Sequence, residues 1–311
     1  MATLTPVTPK TIAAIWAAYE AARSAYEPVG INVGDLGAEC DRALWYTFRR
    51  VSPPEAHAGR TLRIFETGNI EETRILADLR AIGCEVGDEQ ARVFFVGGHV
   101  RGKIDATATG IPEAPKRVHL VECKSSNDDG FKKLRKDGSA KAKPLHYGQV
   151  QMYMHGRSLE RALYIVVNKN DDDIYVERIA YDVAYCLRMV ARAERIITTD
   201  DPPSRLHEDP NSKAAFACKW CKHLDVCHNG AWSRRHCRTC LHSTPITTSE
   251  NACWDCSRFT KPLTLAEQAT GCDWHLFLPG VVPGEQIDAD AAAETVTYKL
   301  RDGTTWVNGR E

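Results

Sequence analysis

Eight of the chain's twelve cysteines fall between Cys218 and Cys272, with Cys-x-x-Cys steps at Cys218–Cys221, Cys237–Cys240 and Cys253–Cys256. Isolated core cysteines do not cluster in this way, and paired thiols at this spacing converge on metal ions. A disulfide framework would require an oxidising compartment. The start MATLTPVTPK lacks the basic-then-apolar pattern of a secretory signal, and no stretch is apolar enough to span a bilayer. A soluble, intracellular protein with thiolate-held metal in its last third is therefore expected. Cys84, Cys123 and Cys186 stand apart from the clusters and read as buried small hydrophobes.

The 311 residues allow one sizeable domain and a smaller appendage. A formal net charge of −1 gives no global attraction to nucleic acid, so any such contact must come from local basic patches. Apolar periodicity predicts helices over 10–26 (opened by Thr8-Pro9), 39–50, 67–82, 145–156 and 183–197. Strand-like runs cover 92–96, 100–106, 118–124, 162–168 and 174–180, the last two joined by a polar hairpin turn. A proline-containing linker follows at 202–212, and then composition shifts to Cys, His and Trp. The expected architecture is an α/β core to about residue 200 with a C-terminal cysteine-rich metal-binding module.

Chemistry concentrates on two strands. Gly102-Lys103-Ile104-Asp105 ends one in an aspartate, and Val121-Glu122-Cys123-Lys124 lies on the next. Strand alternation puts Glu122 and Lys124 on one face and Cys123 on the other, with Asp105 alongside if the strands pair. Two carboxylates there suit a hard cation such as Mg²⁺, and an ammonium beside them suits a phosphate developing charge. An ordinary Glu/Lys pair on a solvated face is the plainer reading of the short motif alone. Gln149 and Tyr153 share a helix face and can hydrogen-bond a phosphate or the carboxylates. The alternative is a core tyrosine. Glu72 shares a stripe with Ile75, Leu76 and Leu79, which makes it a candidate metal ligand, with a structural salt bridge as the alternative. Glu71 falls toward Arg74 and solvent. Lys132, Lys133, Arg135, Lys136, Lys141 and Lys143 form a candidate phosphate-tracking loop.

The order Gly-x-x-x-Glu, Gly-x-x-Asp, Glu-x-Lys, Gln-x-x-x-Tyr resembles the RecB-like branch of the PD-(D/E)XK nucleases, notably phage exonucleases and CRISPR spacer-acquisition exonucleases. The family often carries histidine at the helix position of Glu72. The resemblance covers roughly residues 31 to 230. It implies a restriction-endonuclease-like core, a mixed central sheet flanked by helices, preceded by an N-terminal helix (1–30) and followed by a zinc-ribbon-like module (231–311). It implies hydrolysis of DNA with Mg²⁺ or Mn²⁺ by Asp105, Glu122 and Lys124, with Gln149, Tyr153 and Glu72 in support. DNA ends, single- or double-stranded, are the expected partner, together with a recombination protein. The expected location is cytoplasmic, that of a bacterial host if phage-encoded. A structure-specific endonuclease, or a DNA-binding scaffold with a retired core, are the competing readings.

Cys218, Cys221 and Cys227 offer three ligands and need a fourth. Cys40 resembles the N-terminal cysteine by which iron–sulfur members of this family close a [4Fe–4S] cluster. Thiolates alone suit a cluster or zinc, and His223 and His228 keep a Cys/His zinc site open. Spacing alone would pair the Cys237–Cys240 and Cys253–Cys256 knuckles around Zn²⁺. Trp254-x-Cys256 and Gly271-Cys272-x-x-His275 resemble a phage-nuclease module in which Cys256 and Cys272 complete the site with Cys237 and Cys240. Cys253 and His275 are the alternatives to Cys272.

Overall fold

The computed structural model describes residues 9–23 and 27–309. The expected start of the first helix at Thr8 and its end at Tyr26 lie outside them. In chain order the elements of the first two thirds are α1 (Lys10–Ala21), β1 (Ile31–Asn32), α2 (Asp41–Phe48), α3 (Gly59–Ala81), β2 (Glu85–Gly87), β3 (Arg92–Phe95), β4 (Val100–Lys103), β5 (Ala106–Thr109), β6 (His119–Ser126), α4 (Asp128–Ala142), α5 (Pro144–Arg157), β7 (Arg161–Asn168), β8 (Ile174–Ala180) and α6 (Val183–Thr198). Two short helices, α7 (Phe216–Lys219) and α8 (Leu224–Cys227), follow. Then come β9 (Ser243–Pro245), β10 (Trp254–Cys256), β11 (Lys261–Leu263), α9 (Leu265–Ala269), β12 (Gly284–Asp290), β13 (Thr295–Leu300) and β14 (Thr305–Asn308). Among the described residues no helix is long and apolar enough to cross a membrane.

The central sheet is mixed, in the order β2-β5-β6-β7-β8. Only β6 and β7 run parallel, and the return between them is made by α4 and α5. Helices cover both faces, which is why β6 and β7 are almost continuously buried. On one face Val121, Cys123, Leu163, Ile165 and Val167 pack against Ile75, Leu76 and Leu79 of α3. On the other, Leu120, Tyr164 and Val166 pack with Phe131 and Leu134 of α4 and Val150 and Tyr153 of α5. Edge strand β8 alternates between exposed residues and part-buried ones, with Ile179 buried. Cys84, Cys123 and Cys186 are buried in these clusters.

Three sequence expectations need correction. The single strand expected over 100–106 is broken at Ile104-Asp105: β4 belongs to a separate sheet, β1-β4-β3, and β5 to the central one. The lysine-rich loop is a helix, α4, because Asn127 caps it by accepting the Gly130 N–H at 3.1 Å and Phe131 and Leu134 bury one face. Left-handed Gly138 (φ 71°) then kinks it. Lys132 and Lys141 pair with Asp128 and Asp137 one turn back, and Arg135 pairs with Asp173. Finally, α3 begins at Gly59 rather than 67, where Glu20 of α1 accepts the Gly59 N–H at 2.7 Å.

The cysteine-rich region is packed into the core rather than hung from it. Trp254 is fully buried, stacked on Phe48 at 5.0 Å and flanked by the guanidiniums of Arg49 and Arg238, each 5.1 Å from its ring. Arg238 donates to the carbonyls of Phe48 (3.0 Å) and Val29 (2.8 Å) and to Gln268. A desolvated guanidinium is tolerated only with such partners. His99, also fully buried, contacts the Ile246 carbonyl through Nε2 at 3.1 Å.

Candidate active site

The site forms where β4 and β5 part. The β5–β6 pairing stops at Ala106 opposite Val121, so β6 has no strand partner on that side from Glu122 onward. The Asp105 carboxylate takes the vacated place, accepting the Cys123 N–H at 2.7 Å. Along β6, Glu122 and Lys124 project together toward α5, while Cys123 faces α3. Glu122 has no exposed surface, Lys124 donates to its Oε1, and its Oε2 is buried without a partner. Burial pushes the Glu122 carboxyl up to about 7, against the opposing pull of Lys124. Burial works against the Lys124 charge, but Glu122 and Asp105 outweigh it and hold the ammonium above its ordinary range.

Glu72 approaches from α3. Its Oε1 accepts from Gln90 Nε2 at 2.7 Å, and burial together with nearby Asp105 raises its carboxyl. Lys124 and Lys103 act on its carboxyl in the opposite direction without forming an ion pair with it among the described residues. Glu71, expected in solvent, pairs with Arg74 at 3.6 Å but is only 15% exposed. Tyr153 and Gln149 close the α5 side, Gln149 Nε2 donating to the Tyr153 hydroxyl at 3.1 Å. Gly102 of β4 makes room for that ring, since a Cβ there would lie 2.6 Å from Tyr153.

Two neighbours escaped sequence reasoning. Tyr164 stands opposite Glu122 on β7, and its hydroxyl shares a 2.6 Å hydrogen bond with His146 Nδ1. Burial, then Lys124, pushes the His146 imidazole down to about 4, so it is neutral at pH 7. The usable signals were helical spacing, which puts His146, Gln149 and Tyr153 on one side of α5, and the parity of Tyr164 with Val166. A cleft of about 710 Å³ opens nearby, lined by Arg23, Arg50, Arg101 and Lys222 but also by Glu20 and Asp35. No candidate catalytic side chain lines it.

The cysteines gather in two places. Cys40, which caps α2, lines a cavity of about 20 Å³ with Cys218, Cys221 and Cys227. Cys237, Cys240, Cys256 and Cys272 line another of about 110 Å³, together with His275. Cys253 is not among its walls. Three residues apart in extended chain, Cys253 and Cys256 face opposite ways, and Cys256 takes the cavity side. His275 contacts the His236 carbonyl through Nε2 (3.1 Å), and its Nδ1 is buried without a partner. No cysteine is in a disulfide. Among the described residues no group of three or more His, Cys, Asp or Glu side chains already stands arranged to hold a metal ion.

No protein-family model and no curated protein matches the chain. Among solved structures, SSO0001 is similar at 17% identity and a TM-score of 0.43, over 70% of this chain and 96% of its own. The alkaline exonuclease LHK-Exo from Laribacter hongkongensis is similar at 14% identity and a TM-score of 0.40, over 58% of this chain and 90% of its own. The same enzyme in complex with dAMP gives 11% identity and a TM-score of 0.38, over 59% and 90%. Likenesses of this degree assign neither fold nor activity to this chain, whose mixed sheet and carboxylate cluster stand on their own geometry.

Proposed function

We propose that the chain is a Mg²⁺- or Mn²⁺-dependent deoxyribonuclease with a restriction-endonuclease-like core, acting as an exonuclease. The observation that carries this reading is Glu122. A carboxylate with one oxygen buried and unpartnered is costly unless a cation completes it, and Asp105 and Glu72 are the carboxylates that would share that cation. A hard divalent ion supplies Lewis-acid activation of a phosphodiester. Lys124, tethered to Glu122, presents its ammonium where phosphate charge grows. Tyr153 and Gln149 offer hydroxyl and amide groups to the phosphate oxygens, and neutral His146 holds the Tyr164 hydroxyl beside Glu122. Three carboxylates beside one lysine have no evident purpose in a binding-only scaffold.

The exonuclease reading rests on the resemblance of the motif order to end-trimming members of the RecB-like branch, and the lack of a recognisable base-reading module among the described residues disfavours only a site-specific cutter. Contacts to phosphate give binding without sequence choice. Digestion of linear, nicked and covalently closed DNA with Mg²⁺ or Mn²⁺ tests it. Progressive shortening of linear DNA with intact circles is expected. Rapid cutting of closed circles would reassign the protein as an endonuclease, and no cutting of any substrate would leave only the scaffold reading.

Cys40, Cys218, Cys221 and Cys227 are proposed to hold a [4Fe–4S] cluster, and Cys237, Cys240, Cys256 and Cys272 one Zn²⁺. Convergence of four thiols from distant segments supports each site. For the first, the small cavity favours a second reading, a single zinc ion, since a cluster requires the thiols to spread. Anaerobic purification followed by iron, sulfide and zinc analysis separates the two. Brown protein with acid-labile sulfide is expected, and colourless protein with two zinc ions would establish the alternative.

A further inference from the structure

A second cleft, of about 530 Å³, lies between α2 and the C-terminal sheet and shares no lining residue with the carboxylate site. Arg42 and Tyr46 of α2 form one wall with Arg205, and Lys299 and Arg301 at the end of β13 form the other. Among the described lining residues Glu285 is the single acid. The arginines are held mainly by neutral groups. Arg42 donates to the Pro203 carbonyl at 2.7 Å and to the Tyr46 hydroxyl at 2.9 Å. Arg205 donates to the Cys227 carbonyl at 2.8 Å, reaches the exposed Glu208 only at 3.4 Å, and keeps its Nε buried without a partner. Arg301 donates to the His228 carbonyl at 2.8 Å.

A carbonyl fixes the place of a guanidinium without cancelling its charge. Four cations line this concave space with one carboxylate, Glu285, which stands beside Lys299 on the neighbouring strand; the excess positive charge is self-repelling, a cost that a bound anion would offset. Three of the four are arginines, whose planar forks match phosphate oxygens in pairs. The volume falls within the range of roughly 300–1,000 Å³ common to small-ligand pockets. We propose that this cleft binds phosphate groups, carried by a nucleotide or by a nucleic-acid strand. Because it is remote from Glu122 in its lining, it stands or falls independently of the cleavage reading.

Lys299 is exposed, so its acylation by an amine-reactive reagent, read by mass spectrometry on the full chain, reports occupancy directly. The probes are inorganic phosphate, a 5′-mononucleotide and a short single-stranded oligonucleotide, with acetate at equal ionic strength as control. Phosphate-bearing probes should slow modification of Lys299 roughly tenfold at about ten times their Kd, acetate should not, and Arg301→Gln should remove the protection. Stronger protection by the oligonucleotide assigns the cleft to a strand, and stronger protection by the mononucleotide assigns it to a nucleotide. Equal modification with and without all three probes, or equal protection by acetate, overturns the proposal.

Discussion

The Asp105 carboxylate accepts the Cys123 N–H at 2.7 Å, in the position where a neighbouring strand would otherwise bond β6. One side chain thus has two tasks, to satisfy a backbone donor and to bring negative charge beside Glu122. Substitutions can separate them. Asp105→Asn keeps an acceptor oxygen and should retain near-normal stability while losing about a hundredfold or more in cleavage rate. Asp105→Ala should lose both, with a stability cost of about 1–3 kcal/mol for the orphaned N–H. Urea unfolding of the two variants decides it, and equal stability would mean that the hydrogen bond contributes nothing to the fold.

Lys124→Ala should reduce cleavage by about a hundredfold or more. It should also destabilise the protein, because Glu122 would be left buried with no cation. Purified, folded Lys124→Ala that cleaves DNA at the wild-type rate would remove this lysine, and the proposed chemistry with it.

Cys272→Ser should release the zinc proposed for the C-terminal module, whereas Cys253→Ser should keep it. The reason is that Cys272 lines the thiol cavity and Cys253 does not. Zinc content per chain checks it. Retention in Cys272→Ser would hand the fourth position to His275, whose Nδ1 is without a partner.

His99 should contribute to acid lability. Burial lowers its folded-state pKa from 6.5 to about 4. Below pH 6.5 the unfolded chain therefore takes up a proton that the folded one refuses. Its stabilising contribution is present above pH 6.5 and is lost as pH falls toward 4, by at most roughly 3 kcal/mol. His99→Gln should flatten that part of the stability profile, measured by urea unfolding between pH 7.5 and 4.5. Parallel profiles would show that His99 titrates normally.

Strand alternation made the shared face of Glu122 and Lys124 legible, and helical periodicity put Glu72 in line with the α3 stripe that packs on the sheet's opposite, Cys123 face, because both depend on local geometry alone. The break at Ile104-Asp105 was not legible, since Val100–Ala106 carries a continuous strand signal and only the competition between two sheets divides it. Helix α4 was hidden by its lysines: Phe131 and Leu134 are too few to give a stripe, and the Asn127 cap lies among other polar residues. Strand β12 is largely exposed, and β13 and β14 are mostly half-buried or exposed apart from Tyr298 and Asn308, so they lack the apolar pattern that burial imposes. Tyr164 gives little signal in the sequence, because a tyrosine on a buried strand suggests packing until its register opposite Glu122 is known.

Trp254, wedged between Arg49 and Arg238 over Phe48, bears on how such a chain can change over generations. The contact is reciprocal, so replacing either half with an unrelated counterpart would strand two guanidiniums and an indole. Recombination between genes at the seam near residue 230 would yield chimeras that fail, however well each portion works in its own parent. The tail and the sheet therefore share one core, and a cut between them exposes both.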